Sequence, residues 1–251
     1  MHHFIVTQEQ VNQEQREIVI TGTDYHHMKQ VLRMKIGEEL TISACDGKVE
    51  YAGEVKEYLE DQALITICYV QENQVELPCK VYLFQGLPKS DKMEWIIQKA
   101  VELGAYEVIP VATKRSIVKL DPKKAKAKVQ RWQTIATAAA KQSKRGVIPV
   151  VGEVISFAKA IERAKQMDVK LIPYELATDN CVTRECMEAI QSGESIGIFI
   201  GPEGGFSEEE IALAMECGLT PITLGKRILR TETAGMTVLS FIMYQLEIKG
   251  C

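Results

Sequence analysis

From Lys80 to the C-terminus the chain alternates short apolar runs with longer stretches of helical periodicity, and few architectures accommodate that order. The runs Lys80–Gln85, Tyr106–Val111, Val169–Pro173, Ser195–Ile200 and Pro221–Leu224 read as strands. Helices are expected over Asp91–Leu103 (ending at Gly104), Pro122–Lys144, Phe157–Gln166, Arg184–Gln191, Glu208–Cys217 and about Ala234–Ile248. Strands joined through helices pair in parallel, and a parallel sheet is covered on both faces. The expected fold class here is α/β with a parallel sheet.

The first seventy or so residues follow another pattern. Short strands are expected at Phe4–Thr7, Glu17–Thr21, Glu39–Ala44, Val49–Val55 and Ala63–Val70, with the turn signal Asp46-Gly47 between two of them. One helix, about Asp24–Arg33, interrupts them. Strands at this spacing suggest a small β-barrel. The polar stretch Gln71–Pro78 marks a boundary, giving domains at 1–73 and 74–251.

A chain of 251 residues buries roughly three quarters of its unfolded surface, so neither disulfide nor structural metal is needed to fold it. The seven cysteines (Cys45, Cys68, Cys79, Cys181, Cys186, Cys217 and Cys251) form no CxxC pair, and reduced thiols without a zinc site are expected. No apolar run reaches the roughly 18 residues of a membrane-spanning helix. The start lacks the basic and apolar regions of a signal peptide, so a cytoplasmic protein is expected.

The net charge of −4 does not advertise a nucleic-acid binder, but its distribution does. From Thr113 to Gly146 there are eleven basic residues (Lys114, Arg115, Lys119, Lys123, Lys124, Lys126, Lys128, Arg131, Lys141, Lys144, Arg145) and one acid, Asp121. A basic stripe on an acidic protein is a footprint for phosphate contact. For residues 123–131 alone, a solvated helix face explains the charges as well.

Four segments each join or end regular elements. Gly201-Pro202-Glu203-Gly204-Gly205-Phe206-Ser207 follows an apolar strand, and Ser207 with Glu210 forms a capping box for the next helix. Its glycines permit positive φ and close backbone approach to a ligand, and it lies where open α/β sheets bind ligands. A tight strand-to-helix turn would use the same residues. Neither a Walker A loop nor a GxGxxG fingerprint is present, which argues against an NTPase or NAD enzyme. Leu224-Gly225-Lys226-Arg227-Ile228-Leu229-Arg230-Thr231-Glu232-Thr233-Ala234-Gly235 places an apolar pair between arginines, and Thr231 and Thr233 are both N-cap candidates. An aromatic ring such as adenine would cover the pair; so would the protein's own core. The remaining two segments are Leu87-Pro88-Lys89-Ser90-Asp91-Lys92-Met93-Glu94-Trp95 and Ala139-Ala140-Lys141-Gln142-Ser143-Lys144-Arg145. The second suits a helix end near phosphate, although helix C-termini favour bases for dipole reasons too.

Together these segments resemble the motifs of the 16S ribosomal RNA uridine-N3 methyltransferases, within the SPOUT superfamily. His26-His27-Met28-Lys29-Gln30-Val31-Leu32-Arg33, followed by Gly37, is similar to the helix of that family's PUA-like barrel, so the resemblance spans nearly the whole chain. It implies an N-terminal PUA-like β-barrel and a C-terminal SPOUT domain with a deep trefoil knot formed after Ile200. It implies a homodimer with active sites at the subunit interface. It also implies S-adenosyl-L-methionine as cofactor and the 16S RNA of the small ribosomal subunit as partner, with no membrane and no metal.

The resemblance places the cofactor among three loops: Pro173 with Tyr174, Glu175 and Leu176; Ile200, Gly201, Pro202, Gly204 and Gly205; and Leu224, Gly225, Ile228, Leu229, Thr231 and Ala234. Arg33, Lys89, Lys92, Arg115, Lys141, Gln142 and Arg145 would hold RNA. Uridine N3 becomes nucleophilic only as its proton leaves, so a cation near O2 or O4 and a proton acceptor are expected. Arg230 is the candidate cation and Glu232 or Glu203 the acceptor, although each glutamate equally suits a helix N-terminus. Three other readings remain: ribose 2′-O methylation, which the third loop disfavours; a non-catalytic RNA-binding assembly factor; and a small-molecule enzyme, which leaves the basic stretch without a role.

Overall fold

The computed structural model describes residues 2–44 and 47–249. The Asp46-Gly47 turn therefore lies partly outside the described residues, as do Cys45 and Cys251. In chain order the elements begin with β1 (His2–Val6), β2 (Val11–Asn12), β3 (Glu17–Thr21), α1 (Gly22–His26), β4 (Glu39–Ala44), β5 (Val49–Tyr58) and β6 (Gln62–Glu72). They continue with β7 (Lys80–Gly86), α2 (Lys92–Glu102), β8 (Glu107–Ala112), α3 (Pro122–Gln142), β9 (Val150–Val151), β10 (Ile155–Ser156), α4 (Phe157–Ala164) and β11 (Val169–Pro173). The last are α5 (Asn180–Ala189), β12 (Ser195–Ile200), α6 (Glu208–Glu216), β13 (Thr220–Ile222) and α7 (Thr231–Met243).

The chain divides into two compact units. The first comprises 1–76 together with 140–148; the second comprises 77–139 and 149–251. A linear boundary between residues 73 and 74 does not anticipate the return of 140–148 to the first unit.

In the first unit six strands pair in the order β1-β4-β5-β6-β3-β2, curled around their own core. Only β1 and β4 are parallel; the other pairings are antiparallel. Alternate residues face inward, with Ile18, Ile20, Leu40, Ile42 and Ile65 fully buried beside Phe4 and Tyr51. The β5–β6 register shifts between Ala52 and Gly53 and again between Val55 and Glu57, which bends the longest pair. The expected helix at 24–33 begins two residues earlier, as α1, and continues through His27–Leu32 as wider π turns. It ends at Arg33 in the left-handed region (φ 53).

The second unit is a seven-stranded sheet, ordered β10-β8-β7-β12-β11-β13, with β9 also pairing β8. Every pairing is parallel. β12 lies between β7 and β11, and all its residues after Ser195 are buried, as a strand covered on both faces requires. Phe84 and Phe199 stack in the core with centroids 4.3 Å apart. α4 shows how the sequence selects the covering helices: Phe157, Ala160, Ile161 and Ala164 are buried at helical spacing, and Ser156 caps the first turn. α5 starts at Asn180, four residues before the expected start, because the Asp179 carboxylate accepts from the Cys181 N–H. The five described cysteines are free thiols. Among the described residues no helix is long and apolar enough to cross a membrane, and no cluster of three His, Cys, Asp or Glu could hold a metal ion.

Candidate functional site

A cavity of about 420 Å³ opens in the second unit where β11 and β12 end and the chain enters α7. Carboxyl ends of parallel strands are where such sheets bind ligands, because the connecting loops diverge there.

The loop after β12 is shaped by close backbone packing. A Cβ on Gly201 would lie 3.0 Å from Gly205 Cα, and Gly205 itself sits at φ +65. The Gly205 N–H donates to Pro202 O at 2.8 Å, closing a tight turn. Phe206 returns the chain to the core against Phe157, 5.3 Å between centroids. The expected capping box forms: the Ser207 N–H donates to Glu210 Oε2 (2.9 Å) and the Glu210 N–H to Ser207 Oγ (3.3 Å). Glu210 Oε1 also accepts from the Lys114 N–H at 2.8 Å, tying this turn to the segment after β8. At the end of β7, a Cβ on Gly86 would come within 2.6 Å of Pro202 Cδ, so only glycine lets the loop settle against that strand.

The segment entering α7 supplies the cavity's apolar surface. Ile228 is 86% exposed, with Leu224 and Leu229 nearby in the lining. Gly225 takes φ +105, and its N–H donates to Thr223 Oγ1 at 3.3 Å. Neither threonine caps the helix. Arg230 holds the N-cap position without a side-chain bond, and the helix starts at Thr231, three residues before the expected Ala234. The Thr231 hydroxyl is committed elsewhere: it donates to Gly201 O at 2.6 Å and accepts from Gln85 Nε2 at 2.9 Å. Gln85, fully buried at the end of an apolar strand, thus joins the two loops. Its sequence signal was one amide at the end of an apolar run. Its Oε1 accepts no hydrogen bond.

Tyr174 and Glu175 complete the wall, and the Tyr174 N–H donates to Ile222 O at 3.0 Å. Two residues expected at the cofactor are not among the lining. Leu176 points to solvent, 70% exposed, and Gly204 presents its carbonyl to Arg115 Nη1 at 3.0 Å. Thr223 and Phe206, not anticipated, line the cavity while anchoring its loops.

Charged groups crowd one side. Glu203, Arg227, Arg230 and Lys92 line the cavity; Glu232 does not. Lys92 Nζ lies 3.0 Å from Glu203 Oε1 and 3.4 Å from Glu232 Oε2. Glu203 also accepts from the Lys89 N–H, at 3.1 and 3.3 Å to its two oxygens. Partial burial resists ionisation of Glu203, but its own backbone, Lys92 and the Lys89 N–H outweigh burial and hold the carboxyl below its usual value. Hydrogen bonding to Glu203 raises the Lys92 ammonium above its usual value. Both are charged at neutral pH.

The other residues expected to contact RNA are differently placed. Arg33 and Gln142 are exposed in the first unit, and Lys89 and Arg115 in the second. Lys141 pairs with Asp24. Arg145 is only 4% exposed, and its guanidinium engages Glu76, so its donors face protein rather than solvent. Glu76 Oε1 also accepts from the N–H groups of Gly146 (2.9 Å) and Val147 (3.2 Å).

The chain is 40% identical over 250 residues to the ribosomal RNA small subunit methyltransferase E of Bacillus subtilis (strain 168), covering 98% of this chain and 97% of that protein. The chain belongs to that family. Residues 75–243 match the family described as RNA methyltransferase domain, and 20–68 match the RNA methyltransferase PUA domain. The first match takes in every segment around the cavity. Among solved structures, a crystal structure described only as that of a hypothetical protein superposes with a TM-score of 0.91 at 38% identity, covering 98% of this chain and 99% of that one. A Ribosomal RNA small subunit methyltransferase E from Neisseria gonorrhoeae, bound to S-adenosyl methionine, superposes with a TM-score of 0.80 at 29% identity, covering 97% of each chain.

Proposed function

We propose that this chain transfers a methyl group from S-adenosyl-L-methionine to N3 of one uridine in the 16S RNA of the small ribosomal subunit. The observation that carries the reading is the cavity itself. An isoleucine 86% exposed stands over a loop of close-packed glycine backbone, within a volume in the roughly 300–1,000 Å³ range of small-ligand sites. Apolar surface left open beside loop backbone suits a ligand with a flat ring and a polar edge. Leu224, Ile228 and Leu229 would cover the adenine. Backbone groups of Ile200, Gly201, Pro202, Gly205 and Gly225 would read its edge and the ribose. Tyr174, Glu175, Thr231 and Ala234 would close the remaining walls. When bound, the cofactor supplies a methyl group on a sulfonium, which an in-line nucleophile can take.

The protein's own task is to orient the uridine and manage its N3 proton. Orientation of this kind accounts for up to roughly 7–11 kcal/mol of a barrier. N3 lies on the Watson–Crick edge, so the base enters unpaired or flipped. Arg230, at the cavity and without an ion-pair partner among the described residues, would stabilise charge developing on O2 or O4. The N-terminal unit, matching a PUA domain, would add RNA affinity, with Arg33, Lys89, Arg115 and Gln142 as the exposed polar contacts. The deep trefoil knot, the homodimer and the cytoplasmic setting belong to this reading.

The test combines purified protein, radiolabelled S-adenosyl-L-methionine and small subunits from a strain lacking the enzyme. One N3-methyluridine in the 16S RNA, mapped by nuclease digestion and mass spectrometry, is the expected result. Cofactor binding without label would retain the fold reading and reject the substrate.

A further inference from the structure

Lys92 stands between two carboxylates that occupy different environments. Glu203 lines the cavity and has its oxygens engaged by Lys92 and the Lys89 N–H. Glu232 does not line the cavity; its Oε2 is buried and lies 3.4 Å from the Lys92 ammonium, at ion-pair distance but without good hydrogen-bond geometry. A buried carboxylate oxygen held only by a long ion pair gains when the donor moves closer.

We infer that Lys92 is a positioning residue rather than a phosphate contact: it holds Glu203 as the acceptor of the uridine N3 proton and turns to Glu232 Oε2 once Glu203 is neutral. This rests on the proposed methyl transfer. The N3–H bond breaks and its proton passes to a Glu203 oxygen. The N3 electron pair forms the new bond to the methyl carbon, and the pair of the breaking S–C bond remains on sulfur as a neutral thioether. Glu203 then no longer attracts Lys92 as an anion. Glu232 Oε2, already at ion-pair distance, keeps the ammonium paired, so the proton enters the site without stranding a charge.

The charged groups that share the cavity with Glu203 or lie beside it come from several elements. They are Lys92 at the start of α2, Glu232 in α7, Lys226, Arg227 and Arg230 in the loop before α7, Glu175 after β11, and Arg115 after β8. Of these, Lys92 alone is ion-paired with Glu203 among the described residues.

The test uses Lys92→Met, Lys92→Arg and Glu232→Gln in the full chain, with two readouts. The first is the pH profile of methyl transfer to small subunits. Lys92 favours ionised Glu203, so its loss raises the Glu203 titration and the acid limb moves to higher pH. For Lys92→Met, kcat falls about three-fold at pH 8 and progressively further as the pH is lowered, with KM for subunits within about two-fold; Lys92→Arg restores most of it. The second is carboxyl-carbon NMR titration of Glu203 in the free protein, which decides the role of Lys92 even where methyl transfer fails. The midpoint moves up in Lys92→Met and does not move up in Glu232→Gln, where Lys92 keeps Glu203 as its sole partner. A raised KM with unchanged pH dependence would make Lys92 an RNA contact and overturn the inference. An unmoved Glu203 midpoint in Lys92→Met, or equal upward shifts in both variants, would overturn it too.

Discussion

Two sets of basic residues, one in each unit, are treated in opposite ways. In the first, two bases of the 140–148 segment face carboxylates: Lys141 meets Asp24, and buried Arg145 is clasped by Glu76, which also receives two backbone N–H groups. In the second, Lys226, Arg227 and Arg230 stand exposed around the cavity with no ion pair among the described residues. A charge taken out of water requires a partner; a charge left in water is free to meet a ligand. Side by side in a sequence the two kinds of base look alike. What separates them is whether an acid from elsewhere in the chain reaches them.

The comparison is most exposed at Glu76. Glu76→Ala would leave Arg145 buried without its anion and two N–H groups without an acceptor, so a loss of about 3 kcal/mol in chemical denaturation is expected. A negligible loss would mean that Arg145 is free for RNA after all. Next is Gly86→Ala in the second unit, where the added Cβ meets Pro202 and displaces the 201–205 loop. Cofactor affinity by calorimetry should fall about 30-fold, roughly 2 kcal/mol, while the first unit is untouched. Ile228→Ala is milder and separates site from fold. The side chain is 86% exposed, so the unfolding midpoint should hold while cofactor affinity drops about five-fold, near 1 kcal/mol. The smallest effect is at Lys141→Ala. Its pair with Asp24 is partly solvated, so about 0.5 kcal/mol or less of stability is expected, diminishing with salt. A large loss of RNA affinity in that variant would place Lys141 with the bases of the second unit instead.

Much of the site could be read from consecutive residues. The glycine loop after β12, its Ser207–Glu210 cap and the apolar pair before α7 are local devices, and all three stand where expected. Other groups have a partner that no local pattern shows. Thr231 is a competent N-cap, yet its hydroxyl bridges Gln85 and Gly201, 146 and 30 residues away. Lys92 reads as a base for phosphate, yet it lies between Glu203 and Glu232. Gln85 offered no more than a single amide in an apolar strand. In the first unit the strands were legible by alternation, but their ends were not. β6 runs on to Glu72, and the two-residue strand β2 carries too few residues to show a period.

By itself, then, the order of residues determined the class of each region. Period-two runs and strand–helix alternation can be satisfied in few ways, because buried backbone must pair and apolar faces must be covered. It also determined which loops have the backbone freedom to hold a ligand. The tertiary structure alone decided the partners of the polar side chains: Arg145 with Glu76, Thr231 with Gly201, Lys92 with two carboxylates. A hydrogen bond or ion pair depends on distances of a few ångströms between residues far apart in sequence, and no local pattern encodes those distances.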